Sequence, residues 1–233
     1  MKNLHKLSDR LNNASLFKGI SQKALSDVLD MGFRKSFKED ENLFNQGDKA
    51  QSVFLLLSGR VKLIQTNQNG EEVLLRYLMA NDLAAIVAVL RKKAYPATAE
   101  CVQPGEAICW DGISLRNLMQ KHADIAINAL DITLDRLEEF HHRFLDMTAI
   151  RVEQRIARTL LRLMKRGGKN TEDGILIDFP LSRQNIAEHA GTTLYTVSRV
   201  LSAWEKANYV KSTREKIIIK DAHSLVIIAD DIG

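Results

Sequence analysis

The sequence predicts an α+β chain in three parts: a small β-barrel or jelly roll, one long helix, and a C-terminal winged helix-turn-helix. Three observations carry this reading. Short β-rich runs separated by Gly, Asn and Asp fill residues 33–113. Apolar residues then follow a heptad from Asp124 to about Met147. Finally, Leu181–Lys206 breaks at Gly191 into two short amphipathic helices, and a β-branched ribbon follows. Many short strands with evenly spaced turns suit a barrel or jelly roll. A seam at alternating steps of three and four is the period of a helix that meets another helix.

In chain order, Leu4–Leu11 and Gln22–Met31 carry helical patterns, with LFKGIS between them. FRKSF (33–37), SVFLLLSG (52–59), RVKLIQ (60–65), EEVLLRYL (71–78) and EAICW (106–110) read as strands. NQGD (45–48), SGR (58–60) and NQNGE (67–71) supply turns, the last a hairpin signal. Helix returns at Leu115 and dominates to Arg166. Within it Ile127, Leu130, Leu134, Leu137, His141 and Phe144 form the seam, with Asp131, Asp135, Arg136, Glu138 and Arg143 outside it. Such a seam predicts a homodimer, while another face of the helix can pack on the chain's own barrel. A second amphipathic helix, Val152–Met164, leads through RGGKNTEDG and ILIDFP to the helix-turn-helix. The expected domains are 1–121, a dimerisation helix over 122–148, and 149–233, with the junction near Thr148–Arg151.

Ser182 is the expected N-cap of the first short helix, with Ile186, Ala187 and Ala190 on one face and Gly191 as a left-handed terminator. Thr192 or Thr193 caps the second, which buries Val197, Val200, Leu201 and Trp204 and turns Leu194, Tyr195, Ser198 and Arg199 outward. A helix–glycine–helix pattern alone also describes an ordinary helical hairpin. The hydroxyl-rich entry, the outward Arg199 and the following ribbon point instead to a recognition helix for the DNA major groove. Tyr209–Lys211, STRE and Lys216–Lys220 read as the wing, whose cations can lie along phosphates. The candidate DNA-contacting set is Ser182, Arg183, Thr192, Thr193, Leu194, Tyr195, Thr196, Ser198, Arg199, Lys211, Arg214 and Lys216.

Charge agrees with that placement. Residues 149–220 hold 14 Lys and Arg against 7 Asp and Glu, whereas residues 1–148 hold 19 of each. The surplus sits with the helix-turn-helix, although the net charge of the 233 residues is only +4. No apolar run of about 18 residues and no apolar leader occur, so neither a membrane span nor a signal peptide is expected. Two cysteines, Cys101 and Cys109, make no disulfide framework and fit a reducing cytoplasm. Phosphate loops, nucleophile elbows, HExxH and paired carboxylates are missing, which argues against an enzyme. The barrel alone would also suit a regulatory subunit of an enzyme, which would not need residues 181–220. A non-specific architectural DNA protein would bind with steep salt dependence and no sequence preference.

The order of parts resembles the CRP/FNR family of transcription regulators over essentially the whole chain. SRQNIAEHAGTTLYTVSRVL (182–201), RIARTLL (155–161) and the turns around Gly47, Gly59 and Gly70 carry the resemblance. It implies a cyclic-nucleotide-binding-like barrel in a homodimeric, ligand-switched regulator that recruits or blocks RNA polymerase on double-stranded DNA. The family's guanine-contacting Arg matches Arg199, and Ser198 precedes it as in the FNR branch. The family's Glu that accepts from cytosine is Tyr195 here, so the half-site is expected to differ.

Cyclic-nucleotide binders of this family carry Gly-Glu and, about ten residues on, Arg-Ser, which hold ribose hydroxyls and phosphate. The aligned residues here are Ala85 and Ile86, then Pro96 and Ala97, so cyclic AMP is not the expected effector. An FNR-type cluster needs four thiolates and the chain has two cysteines. The expected effector pocket is apolar: Leu83, Ile86, Val87, Leu90 and Tyr95, faced by Phe140 and His141. The apolar cassette with YPATA and the TTLYTVSR helix most resemble the nitric-oxide-responsive NnrR/DNR branch, which implies haem. Candidate axial ligands are His141, His142, His122 and His5, each of which is also an ordinary packing or solvated residue. A small metabolite, or control by abundance without a ligand, stays open beside haem.

Overall fold

The computed structural model describes residue 11, residues 14–213 and residues 215–230. Apart from Leu11, the expected Leu4–Leu11 helix lies outside these residues, as do His5 and Arg214. The chain forms two compact units that divide between Glu138 and Glu139, inside the long helix.

In the first unit, helix α1 (Gln22–Met31) starts at Ser21, whose side chain accepts from the Ala24 N–H. Strands β1 (Phe33–Phe37), β2 (Asn42–Phe44), β3 (Ser52–Leu56), β4 (Arg60–Thr66), β5 (Glu72–Leu78) and β6 (Leu83–Ala84) follow. Then come a short helix α2 (Ile86–Leu90), strands β7 (Thr98–Gln103) and β8 (Gly105–Asp111), and helix α3 (Gly112–Lys121). The strands form two antiparallel four-stranded sheets, ordered β1-β8-β3-β6 and β2-β7-β4-β5. Leu55, Val61, Leu78, Cys101 and Ile108 belong to one continuous buried core, and the inner strands β3 and β8 are each buried at four successive positions, Val53–Leu56 and Ala107–Trp110. Trp110 is fully buried; its indole N–H donates to the Val28 carbonyl at 2.9 Å and its ring meets Phe17 edge-on. The five expected strands are all present. β2, β6 and β7 are additional, and β7 carries its polar residues where they meet β4, as in the 2.7 Å Lys62–Glu100 ion pair.

Gly59 makes a close backbone approach in this unit. It turns the chain from β3 into β4 with φ of 79°, and a Cβ there would lie 2.7 Å from the Pro104 carbonyl oxygen and 2.8 Å from Gly105 Cα. Both are backbone atoms, so no side chain can move aside.

Helix α4 (Ala123–Ala149) is continuous and has two unlike faces. Ile125 and Ala129 are buried and Ile132 is partly buried against the sandwich core. Asn128 donates to the Leu16 and Lys18 carbonyls at 3.1 and 2.9 Å, and Arg136 donates to the Leu83 carbonyl. The expected seam runs along other positions. Of that seam Ile127, Leu130, Leu134, Leu137 and Phe144 are exposed, from 48 % at Leu134 to 57 % at Leu130, and His141 is exposed as well.

The second unit continues with helix α5 (Val152–Gly167), strands β9 (Gly168–Thr171) and β10 (Gly174–Ile177), helices α6 (Arg183–Ala190) and α7 (Leu194–Lys206), strands β11 (Val210–Ser212) and β12 (Ile217–Ile219), and helix α8 (Ala222–Asp230). The expected two-stranded wing is β11–β12, but it extends into a sheet ordered β11-β12-β10-β9. RGGKNTEDG and ILIDFP thus supply a hairpin rather than a plain connection. Ile156, Leu160, Ile186, Val197, Leu201 and Leu225 are buried. The last turns of α4 are tied to α5 by Asp146, a buried carboxylate that accepts from Arg158 at 2.6 Å and Arg162 at 3.0 Å. Among the described residues, no helix is long and apolar enough to cross a membrane.

Gly59→Ala is expected to destabilise the chain by at least ~2 kcal/mol, from the left-handed φ and the backbone clash together. Gly70→Ala, in a turn with open space around it, should lose only ~1 kcal/mol in the same urea titration. Equal losses would show that the Gly59–Gly105 approach is not a constraint.

Candidate nucleic-acid interface

The helix-turn-helix is fixed by three local devices. Ser182 Oγ accepts from the Asn185 N–H and Asn185 Oδ1 accepts from the Ser182 N–H, both at 3.1 Å, which closes a reciprocal cap on α6. Gly191 ends that helix in the left-handed region at φ 60°, and a Cβ there would press on the Met147 side chain at 3.0 Å. Thr193, not Thr192, is the N-cap of α7: its Oγ1 accepts from the Thr196 N–H at 3.2 Å and lies 3.0 Å from the Thr196 hydroxyl. Val197, Val200, Leu201 and Trp204 are buried beneath α7 as the spacing predicts.

The other edge of α7 faces solvent. Tyr195 is 79 % exposed, Leu194 and Arg199 are exposed, and Ser198 is half-buried beside them. These four lie along the first two turns, where a recognition helix presents its side chains to base edges. Arg199 reaches to 3.9 Å from Glu153, in the first turn of α5.

Sequence reasoning missed the residue that holds this arrangement. Arg155 donates through Nε to the Ala190 carbonyl at 2.8 Å, through Nη2 to the Gly191 carbonyl at 3.1 Å, and through Nη1 to the Ile150 carbonyl at 3.0 Å. Its fork thereby clamps the turn of the helix-turn-helix to the start of α5. Its place at the head of RIARTLL was the only signal available.

Two of the expected DNA-contacting cations also pair within the chain. Arg183 donates to Ser212 Oγ at 3.0 Å and lies 3.8 Å from Glu205, so it ties α6 to the wing. Lys211 forms a 2.7 Å ion pair with Asp173 in the turn between β9 and β10. Lys216 is exposed, and Thr192 and Thr196 are half-buried at the head of α7.

The residues of the expected effector pocket differ in exposure. Leu83 and Ile86 are core residues, whereas Val87 is 50 % exposed and Leu90 half-buried. Tyr95 is buried: its ring stacks on Phe44 at 4.1 Å and its hydroxyl accepts from the Ser52 N–H and donates to the Ser52 carbonyl, each at 3.0 Å. Phe140 and His141 are exposed on α4. Leu83, Ile86 and Tyr95 are the members of this set that lie in the sandwich core.

The four aligned cassette residues, Ala85, Ile86, Pro96 and Ala97, carry no side chain that hydrogen-bonds ribose or phosphate. Ala85 adopts φ 68° and ψ 2°, the left-handed backbone that the aligned glycine takes without cost. Ile86, aligned with the ribose-binding Glu, points into the core, and Ala97 is buried without any group for a phosphate.

The described candidate haem ligands occupy different surroundings. His122 lies 2.7 Å from the Asp27 carboxylate, which also pairs with Lys121. His141 and His142 are exposed along α4, and His223 is exposed on α8. Among the described residues no three His, Cys, Asp or Glu side chains gather as metal ligands. Cys101 and Cys109 are buried, and burial pushes their thiols up to about 11 and about 12, so both are inert packing residues.

Comparison with known proteins matches both units. Residues 34–122 match the cyclic nucleotide-binding domain family, and residues 154–226 match the Crp-like helix-turn-helix domain family. A CRP-like cAMP-activated global transcriptional regulator of Mycobacterium tuberculosis is 20 % identical over 94 % of this chain and 98 % of its own length. A global nitrogen regulator of Synechocystis is 26 % identical over 91 % of this chain and 93 % of its own. The catabolite activator protein of Thermus thermophilus superposes with a TM-score of 0.54 at 25 % identity, over 94 % of this chain and all of that one. FixK2 of Bradyrhizobium japonicum superposes at 0.72 with 18 % identity, over 87 % and 99 % of the two chains, which speaks for the fold alone.

The buried His189 gives this unit a pH dependence. Burial, and then Arg143, Arg162 and Arg166 around it, lower its pKa from 6.5 to about 3. The unfolded chain takes up a proton near pH 6.5 that the folded chain refuses until about pH 3. The stability from neutral His189 is therefore full above pH 6.5 and falls as the pH drops from there toward 3. Melting temperature followed from pH 7 to pH 4 should decline less in His189→Gln than in the wild type. Parallel declines would remove His189 from the account.

Proposed function

A chain that joins a cyclic nucleotide-binding domain to a Crp-like helix-turn-helix domain belongs to the CRP/FNR family of transcriptional regulators, and from that membership we propose how it works. It acts in the cytoplasm as a homodimer on a palindromic promoter site, in concert with RNA polymerase, and its effector is not cyclic AMP.

The observation that carries the DNA reading is the bare edge of α7. Arg199 is exposed, capped into place by Thr193 and the Arg155 clamp, and its guanidinium matches guanine O6 and N7 in a bidentate pair. Tyr195 stands beside it where the family's cytosine-reading Glu would be, and a phenol cannot serve as a carboxylate acceptor. The half-site therefore departs from the family's common ones.

The dimer reading rests on α4. Five large apolar side chains, Ile127, Leu130, Leu134, Leu137 and Phe144, are exposed at heptad spacing together with His141 while the opposite positions are packed, and water is a poor solvent for that stripe. Two chains joined along it would present two recognition helices, which read a palindrome when spaced by about 34 Å. The cyclic AMP of the Mycobacterium tuberculosis relative's name does not carry over, because Ala85, Ile86, Pro96 and Ala97 replace the groups that would hold ribose and phosphate. Nitric oxide acting through haem, with His141 or His142 as the axial ligand, stands beside a small metabolite or control by abundance as the reading of the switch.

Selection from a random duplex pool should yield a palindrome that the wild type prefers to random DNA by roughly 10³–10⁷, unchanged by cyclic AMP. Arg199→Ala should weaken binding to that site by ~1–3 kcal/mol while leaving the salt-sensitive background intact. A mutant that keeps the full preference would misplace the reading edge.

The dimer is checked by sedimentation. Leu134→Lys with Leu137→Lys should shift the chain to monomer and reduce the protected site to one half. A double mutant that still sediments as a dimer would move the interface elsewhere.

A further inference from the structure

We infer that Glu153 is a positioning residue for the base-reading Arg199 and sets how strongly α7 prefers its own site over other DNA; the inference rests on the DNA reading above. Glu153 is the acidic residue in the first turn of α5, and its carboxylate lies 3.9 Å from the Arg199 guanidinium. Both side chains are more than half exposed, so their attraction alone contributes little to stability.

What makes the pair informative is the rigidity of the backbones beneath it. The fork of Arg155 binds the carbonyls of Ile150, Ala190 and Gly191, so the first turn of α5 is held to the turn that launches α7. The Arg151 N–H donates to Gln154 Oε1 at 2.9 Å, which fixes the same turn from within. Thr193 fixes the start of α7. The carboxylate therefore stays beside the recognition helix whether or not DNA is bound.

On DNA, a guanidinium has two kinds of target. A phosphate is an anion, and bringing it to a guanidinium already flanked by a carboxylate sets two negative charges against each other. The O6 and N7 of guanine are neutral acceptors and meet no such repulsion. Glu153 thus penalises the phosphate-bound arrangement that random sequences offer more than the base-bound arrangement of the correct site. Specificity arises here by weakening the competitor.

The test measures affinity for the selected palindrome and for random duplex, across a salt series, in the full-length chain. Glu153→Gln should bind random duplex roughly two- to fivefold tighter, with a salt slope steeper by about one phosphate, and the specific-to-random ratio should fall by a similar factor. In an Arg199→Ala background the same substitution should give at most a small part of that gain. An equal gain in both backgrounds would mark a general charge effect and overturn the positioning role, as would a Glu153→Gln chain with the wild-type ratio. A wild-type chain without any sequence preference would overturn the DNA reading and this inference with it.

Discussion

Helix α4 is the constraint from which the rest follows, because one continuous element must satisfy demands in both units. Its 27 residues bury Ile125 and Ala129 against the sandwich at one end and supply buried Asp146 to the helix-turn-helix unit at the other. A helix can serve a core on one face only if its other face is soluble or covered. Here that other face is Ile127, Leu130, Leu134 and Leu137, which is neither polar nor covered within one chain. The same period that makes the helix possible therefore makes a second helix necessary in our reading.

In the DNA-binding unit, precision comes from polar groups rather than from the core. Apolar packing under α7 fixes which face is buried, but not where the helix begins or how the turn is aimed. The reciprocal Ser182–Asn185 cap, the left-handed Gly191 and the Thr193 cap decide where each helix begins and ends. Arg155 then uses three donors on three backbone carbonyls, a geometry that suits a planar fork and that Lys could not reproduce. Asp146 neutralises Arg158 and Arg162 where the end of α4 meets α5. Cations in this unit are thus divided: Arg155, Arg158, Arg162 and Arg183 build the unit, and Arg199 and Lys216 remain at its surface.

The sensor unit carries Ala85, Ile86, Pro96 and Ala97 at its cassette positions. Ala85 still takes the left-handed turn, so the backbone path is retained even where the side chain is mildly strained by it. The residue that follows has changed from a polar hand to a core plug, since Ile86 is buried. A packed aliphatic at that position offers no acceptor for a ribose hydroxyl, which is the basis of the proposal that the effector is not cyclic AMP.

Sequence alone determined whatever depends on neighbours a few residues away. The caps at Ser182 and Thr193, the terminator at Gly191, the buried face of α7 and the five strongest strands were legible because each is a local pattern of period and hydrogen-bonding groups. Tertiary structure decided what depends on a distant partner. β7 is a strand because β4 and β2 flank it, and β9 and β10 exist because the wing accepts them. Arg183 and Lys211 read as phosphate contacts until Ser212 and Asp173 meet them, 29 and 38 residues away. Tyr95 and Ile86 read as pocket walls until the core closes on them. The period of a sequence shows which side of an element turns inward, whereas only the folded chain shows which charged and apolar groups already have a partner.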